Sequence, residues 1–328
     1  MSMVTKMRSP LNDSTGRQAS LTGHLARASN PVRMFLFDVL PATAVKPIND
    51  AVWAALAGGP RVAGAGLAPW EHALLGTAID YRLRYWFGVT PATELVAALG
   101  VSRLPGFLTD ELGGIEFVSG CQSFMDGMDA TATRLNTVGR RLDKDDEEIL
   151  ARHCLVLALL EQVGRVGLRP GSPLLNRPLA SSPLQLLDLA RVEWVDDLRD
   201  MAWLFHGQAV HEGLAAKPAA LNPIFAGSRD VRGADADLIV DRCLIEIKST
   251  IQARFTEPVL HQLLGYVLLD YADEYGIQSV GLYLARHGAL LRWNLEQLLG
   301  KYAQPTELSA LRARFRTFLQ SPLGSPLR

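Results

Sequence analysis

Residues 234–250 read ADADLIVDRCLIEIKST, and the fold turns on how this stretch doubles back on itself. Two short β-rich runs, Asp237–Val240 and Cys243–Ile247, flank the polar pair Asp241-Arg242. Apolar runs bounded by a polar dipeptide predict a hairpin, even without the glycine that two-residue turns usually carry. With Asp241 and Arg242 as the turn, Val240 pairs with Cys243, Ile239 with Leu244, and Asp237 with Glu246. Directly opposed residues share a face, with Cβ atoms roughly 4.5–5.5 Å apart. Side chains alternate along a strand, so Lys248 falls on that same face and Asp235 lies opposite it. Two carboxylates and an amine thus meet at the end of an otherwise apolar ribbon.

Like charges opposed across a ladder destabilise it unless something positive lies between them. A divalent cation with hard oxygen ligands resolves the conflict, and Mg²⁺ is commonly held by one or two carboxylates plus a substrate phosphate. Such an ion polarises a phosphodiester and lowers the pKa of bound water, while a neighbouring lysine orients that water. The alternative is a surface hairpin on which Glu246 and Lys248 are merely solvated. Glu-x-Lys alone is common; the aspartate at the matching cross-strand position is what favours chemistry.

Outward from the hairpin, the pattern is helical on the N-terminal side. Residues 1–20 read as a polar, flexible arm. Apolar residues recur at helical spacing from Leu21 to Leu40, where Pro41 stops them, and loops are expected until Pro69. PWEHALLGTAIDYRLRYWFG (69–88) reads as a helix. Residues 90–205 are mostly helical, most clearly where DKDDEE (143–148) leads into ILARHCLVLALLEQVGRVG (149–167), acids suiting a helix start. LNPIFAGSRDVRGADAD (221–237) is loop-like. After the hairpin, EPVLHQLLGYVLLDYADEYG (257–276) returns to helix with Pro258 in its first turn, and QSVGLYLARHGALLRW (278–293) reads as strand, turn and strand. The order β-β-α-β after a long helical region predicts an α/β fold with a small mixed sheet.

GADADLIV (233–240) followed by LIEIKST (244–250) resembles the restriction-endonuclease-like core of PD-(D/E)XK nucleases. HQLLGY (261–266), with Gln262 and Tyr266 in Q-x-x-x-Y spacing on one helix face, is similar to the RecB-like branch. In that branch a preceding helix carries G-T-x-x-H, whose histidine ligates metal. LGTAID (75–80) matches it except that Asp80 stands where the histidine would be; an aspartate can also ligate Mg²⁺ or Mn²⁺. His72, on the same helix face, is either a substitute ligand or an ordinary partly buried helix histidine. ASNPVRMFLFDVLP (28–41) is similar to the helix that opens such domains.

The resemblance spans about 21–90 and 220–295. It implies a flexible arm (1–20), an N-terminal helical part (21–90), a large helical insertion (91–215), a nuclease core (216–300), and a basic C-terminal helix and tail (301–328). It also implies an Mg²⁺- or Mn²⁺-dependent nuclease that hydrolyses phosphodiester bonds, with DNA the first expectation and RNA left open, leaving a 5′-phosphate and a 3′-hydroxyl. Defence, repair and mobile-element systems are its expected settings, with a helicase or defence-system protein as a partner. Asp237 and Glu246 would hold the ion, joined by the Ile247 backbone carbonyl and Asp80. Lys248 would position the attacking water, Gln262 would orient Lys248 or the phosphate, and Tyr266 would support it. Arg229, Arg232 and Arg254 flank the motif as candidate nucleic-acid contacts, as do Arg286 and His287 at the last turn. The alternative is a catalytically inactive nuclease-fold subunit that binds nucleic acid or serves assembly.

Composition bounds these expectations. Three cysteines without C-x-x-C spacing build neither a disulfide framework nor an iron–sulfur cluster. No G-x-x-x-x-G-K-[ST] loop is present, so no nucleotide cofactor is expected. A formal net charge of −1 restricts any nucleic-acid site to a local patch. The N-terminal residues lack the apolar run of a secretory signal, and no apolar stretch reaches the roughly 18 residues of a membrane span; a cytoplasmic protein is expected.

Overall fold

The computed structural model describes residues 20–64, 66–108, 112–175, 182–302 and 307–321; all but the last residue of the expected arm, and the tail beyond 321, lie outside them. Among the described residues, the regular elements up to residue 211 are all helices. In place of the single helix expected over 21–40 there are two, α1 (Leu21–Leu25) and α2 (Pro31–Val39). The Asn30 side chain accepts a bond from the Val32 N–H at 2.9 Å and Pro31 occupies the first turn, so the chain stops and restarts there. A third helix, α3 (Val45–Leu56), runs where loops were expected. Pro47 sits in its first turn, where a missing N–H removes no helical hydrogen bond.

Next come α4 (Pro69–Phe87), α5 (Val96–Arg103), α6 (Leu112–Leu135), α7 (Lys144–Val166), α8 (Pro183–Leu187) and α9 (Val192–His211). Asp143 caps α7 by accepting from Asp146 N–H at 2.9 Å, and Asp145, Asp146 and Glu147 follow in its first turn. Buried Arg82 donates to both carboxylate oxygens of Glu147, at 2.5 and 2.8 Å, and so ties α4 to α7. At the α5–α7 crossing a Cβ on Gly100 would fall 1.8 Å from the Leu160 carbonyl oxygen, so only glycine lets the backbones meet.

The remaining elements are β1 (Ala219–Leu221), β2 (Leu238–Val240), β3 (Cys243–Lys248), α10 (Glu257–Leu269), β4 (Ser279–Leu284), β5 (Ala289–Asn294), α11 (Leu295–Tyr302) and α12 (Leu308–Gln320). The five strands form one mixed sheet in sequence order. All neighbours are antiparallel except β3 and β4, which run parallel and are joined through α10. β1 lies where a loop was read, because three residues followed by Asn222-Pro223 leave no alternation to recognise. In the hairpin Val240 faces Cys243, Ile239 faces Leu244 and Leu238 faces Ile245, the expected register. Asp241 and Arg242 both have positive φ, +49° and +65°, matching the mirror-image turn that suits strand twist. Lys217 Nζ holds the Asp241 carboxylate at 2.7 Å.

Alternation then assigns the two faces. Leu238, Val240, Cys243, Ile245 and Ile247 pack into a core shared with α4–α9. Ile239, Leu244, Val280, Leu282 and Leu284 pack into a second core with α1–α3 and α10–α12. Glu246 and Lys248 follow Leu244 onto the α10 side. No helix among the described residues is long and apolar enough to cross a membrane.

Candidate functional site

Most of the candidate residues gather where α4 crosses one end of the sheet. An added Cβ on Gly76 would lie 3.0 Å from Ser249 Oγ, just past β3, and one on Gly88 would lie 3.7 Å from Leu221, the last residue of β1. Between these two approaches, Asp80 comes close enough for its charge to bear on Asp237. Asp237, one residue before β2, accepts a bond from the Ile247 N–H to Oδ2 at 2.7 Å, so its carboxylate prolongs the β2–β3 ladder. Lys248 Nζ donates to Glu246 Oε1 at 2.6 Å. Glu246 is only 4% exposed, and its other oxygen, Oε2, is buried with no hydrogen-bond partner. An unsatisfied buried carboxylate oxygen is costly and asks for a positive partner.

Two further groups arrive on α7. Glu161 accepts from the Tyr81 hydroxyl at 2.5 Å and from Arg165 Nε at 2.6 Å, and its charge bears on Asp80. Arg165 Nη2 reaches to 3.9 Å from Asp235. Asp80 itself is held by Arg84, which donates from Nε to Oδ1 at 3.0 Å and from Nη2 to Oδ2. The cluster therefore contains five carboxylates (Asp80, Glu161, Asp235, Asp237, Glu246) and three cations (Arg84, Arg165, Lys248). With every group ionised, as a bound cation would require, two negative charges are left over, the charge of one divalent cation.

The electrostatics reflect that surplus. Asp237 touches solvent at its edge, yet burial, then Glu246 and then Asp80 push its pKa well above the usual carboxylate value; Lys248 and the Ile247 amide oppose this. Burial, with help from Glu161 and Asp235, raises Asp80 to about 6 against the pull of Arg84. Burial alone would lower Lys248, but Glu246 and Asp237 outweigh it and raise its pKa. The Tyr266 hydroxyl is pushed well above the phenol range by burial, Glu246 and Asp237, and stays neutral.

The Asp80 shift has a consequence for stability. The folded chain holds the Asp80 proton more tightly than the unfolded chain does, so this group favours folding at low pH. That contribution is fully present below the unfolded value of 3.8 and is lost as pH rises through about 6. Metal-free protein is expected to lose on the order of 1–3 kcal/mol from this group across that interval. Urea denaturation at pH 4 and 7 measures it, and Asp80→Asn should flatten that part of the profile. A variant whose profile superposes on the wild type's would remove Asp80 from the cluster.

Other sequence candidates are distributed unevenly. Gln262 Nε2 donates to the Tyr266 hydroxyl at 2.9 Å, not to Lys248, and Tyr266 stacks on Phe225, so the pair forms a wall of the site. His72 lies eight residues before Asp80, about 12 Å of helix rise away, which separates it from the cluster. Arg229 and Arg254 are exposed; Arg232 is half-buried in a left-handed conformation near His24. Arg286 is not free to meet a nucleic-acid phosphate, contrary to expectation. It is fully buried and donates to both Asp197 oxygens, at 2.8 and 2.6 Å. In the basic C-terminal helix, Arg312 is buried between Asp270 and Asp273.

Among the described residues no three His, Cys, Asp or Glu side chains form a ready-made metal cage. The carboxylates are engaged instead by Arg84, Lys248 and the Ile247 amide. The donor set nonetheless suits a hard cation: oxygen donors, an orphaned Oε2 on Glu246, and two surplus negative charges. Asp237 and Glu246 are the residues that would hold it, with Asp80 within electrostatic reach. No family model matches the chain, and no curated protein or solved structure matches it either.

Proposed function

We propose that this chain is a metal-dependent phosphodiesterase acting on nucleic acid, in the first instance DNA, with a PD-(D/E)XK-type core. The observation that carries the proposal is Glu246 Oε2, buried and unpartnered beside Lys248 in a cluster with two surplus negative charges. The topology supports it: a hairpin bearing Asp237 and Glu-x-Lys, then a helix bearing Gln262 and Tyr266, then a strand parallel to β3. A bound Mg²⁺ or Mn²⁺ would supply Lewis-acid activation of water and of the phosphate.

The chain's own residues divide the remaining work. Asp237 and Glu246 would hold the ion. Lys248, with a raised pKa, is protonated at neutral pH; it acts as a donor and a positive charge, not as a base. Its ammonium holds the attacking water and then stabilises charge building on the non-bridging phosphate oxygens. The water oxygen would bond to phosphorus as its proton leaves to solvent, and the bond from phosphorus to the 3′-oxygen would break, that oxygen taking a proton from solvent to leave as the 3′-hydroxyl. Arg165, half-exposed at the rim, is placed to meet an adjacent phosphate.

The test is incubation of the full chain with single-stranded, linear duplex and circular DNA. Cleavage with Mn²⁺ that EDTA abolishes is expected, and no cleavage of any substrate with Mn²⁺ or Mg²⁺ would overturn the activity. One observation favours a second reading, a non-catalytic nucleic-acid-binding subunit: Arg84 and Lys248 already engage Asp80 and Glu246 without an ion. Metal titration separates the two.

A further inference from the structure

Beside the cluster, along the same end of the sheet, three loops are tied together. Arg286 Nε donates to the Ser249 carbonyl at 2.7 Å, one ring nitrogen of His287 lies 3.3 Å from the Ile251 carbonyl, and Val62 N–H donates to the Arg286 carbonyl at 2.8 Å. The segment after Lys248 is thus pinned to the β4–β5 turn, and the α3–α4 connection is pinned to the same turn. From the other side, Asn49 clamps that segment through both backbone groups of Phe255, at 2.6 and 2.8 Å. Trp53, one turn further along α3, donates its indole N–H to the Ala253 carbonyl at 3.0 Å yet stays 56% exposed.

A tryptophan so exposed, with its only polar group already satisfied, offers an open aromatic face held at a fixed angle. The charges around it suit phosphate. Arg254 and Arg61 are exposed and have no ion-pair partner among the described residues, and the Arg61 charge bears on His287. The acid one turn before Trp53, Asp50, is neutralised by Lys46 at 2.9 Å. Ala253 lies five positions after Lys248, at most about 18 Å of chain. A strand whose scissile phosphate lies at Lys248 can therefore reach this shelf within a few nucleotides.

We infer that Trp53 is a stacking platform for an unpaired nucleobase and that Arg254 and Arg61 hold the adjoining phosphates, so the strand leading to the site is single-stranded. This rests on the phosphodiesterase reading and specifies its substrate. Stacking on an aromatic face needs an unpaired base and tolerates any sequence; a base inside a duplex cannot present its face.

The test is fluorescence anisotropy with a labelled 12-mer single strand and a blunt hairpin duplex, in EDTA so that nothing is cut. Trp53→Ala is expected to weaken single-strand binding by roughly 5- to 100-fold, while Trp53→Phe keeps most of it and hairpin binding moves by less than about twofold. Arg254→Gln should reduce the salt slope by about 0.7. Thermal melting of each variant checks the fold, which an exposed side chain should not disturb. Equal single-strand affinity for Trp53→Ala and wild type, equal losses on both probes, or no binding of either probe would overturn the platform. Cleavage is read separately with Mn²⁺. A wild type that cuts while Trp53→Ala binds normally sinks the platform alone; a Trp53-dependent affinity in a chain that never cuts sinks the phosphodiesterase reading alone.

Discussion

Replacing Lys248 with alanine is expected to lower Mn²⁺-dependent cleavage by about 10²- to 10⁴-fold. Its ammonium is bonded to the other oxygen of the Glu246 carboxylate, and neighbouring carboxylates keep it charged. In the reaction it contributes a donor and a positive charge where charge develops, and alanine contributes neither. The same change should leave Mn²⁺ binding intact or slightly tighter, because it removes a cation that competes for Glu246. This split between rate and binding distinguishes a catalytic lysine from a structural one. Wild-type cleavage by Lys248→Ala would remove the residue from the site; parallel loss of metal binding would make it a mere support.

Asp237→Asn should have the opposite signature. Asp237 has a raised pKa, because burial, Glu246 and Asp80 disfavour its ionised form, so ionising it opposes folding. Asparagine removes that charge and can still accept the Ile247 N–H, keeping the ladder bond. Metal-free Asp237→Asn is therefore expected to be more stable than wild type at pH 7.5. It should also lose the stabilisation Mn²⁺ gives the wild type, about 2.7 kcal/mol at a hundredfold excess over Kd. Thermal melts with Mn²⁺ or with EDTA read both effects. A destabilised Asp237→Asn that still responds to Mn²⁺ would mean that Asp237 is a structural hydrogen-bond acceptor only.

How much of this was legible in the sequence depended on the range of the interactions. The hairpin was readable because a two-residue turn and strict alternation fix the register. Val240 does face Cys243, and Leu244 does face Ile239. That register also carries Asp237, Glu246 and Lys248 to one end of one face. The breaks around Asn30-Pro31 and the helix across Pro47 were misread because proline signals a boundary without saying on which side the helix lies. Glu161 and Arg165 went unnoticed since α7 meets α4 only in the folded chain, some 80 residues from Tyr81. A local signal for Glu161 did exist: it is the one charged residue in the run Cys154–Val163. A lone acid inside so apolar a stretch needs a partner. Arg286 misled in the reverse direction, since a turn arginine resembles a surface group and only the fold brings Asp197 to it.

The claim at the centre is that five carboxylates and three cations at the end of this sheet form a site for one divalent cation, held by Asp237 and Glu246. Calorimetric titration of Mn²⁺ into the metal-free chain at pH 8 tests it most directly, alongside the Asp237→Asn/Glu246→Gln double variant. One saturable site per chain in the wild type, absent from the double variant, is the predicted result. Saturable binding of the same affinity in both proteins, or none in the wild type, would contradict it.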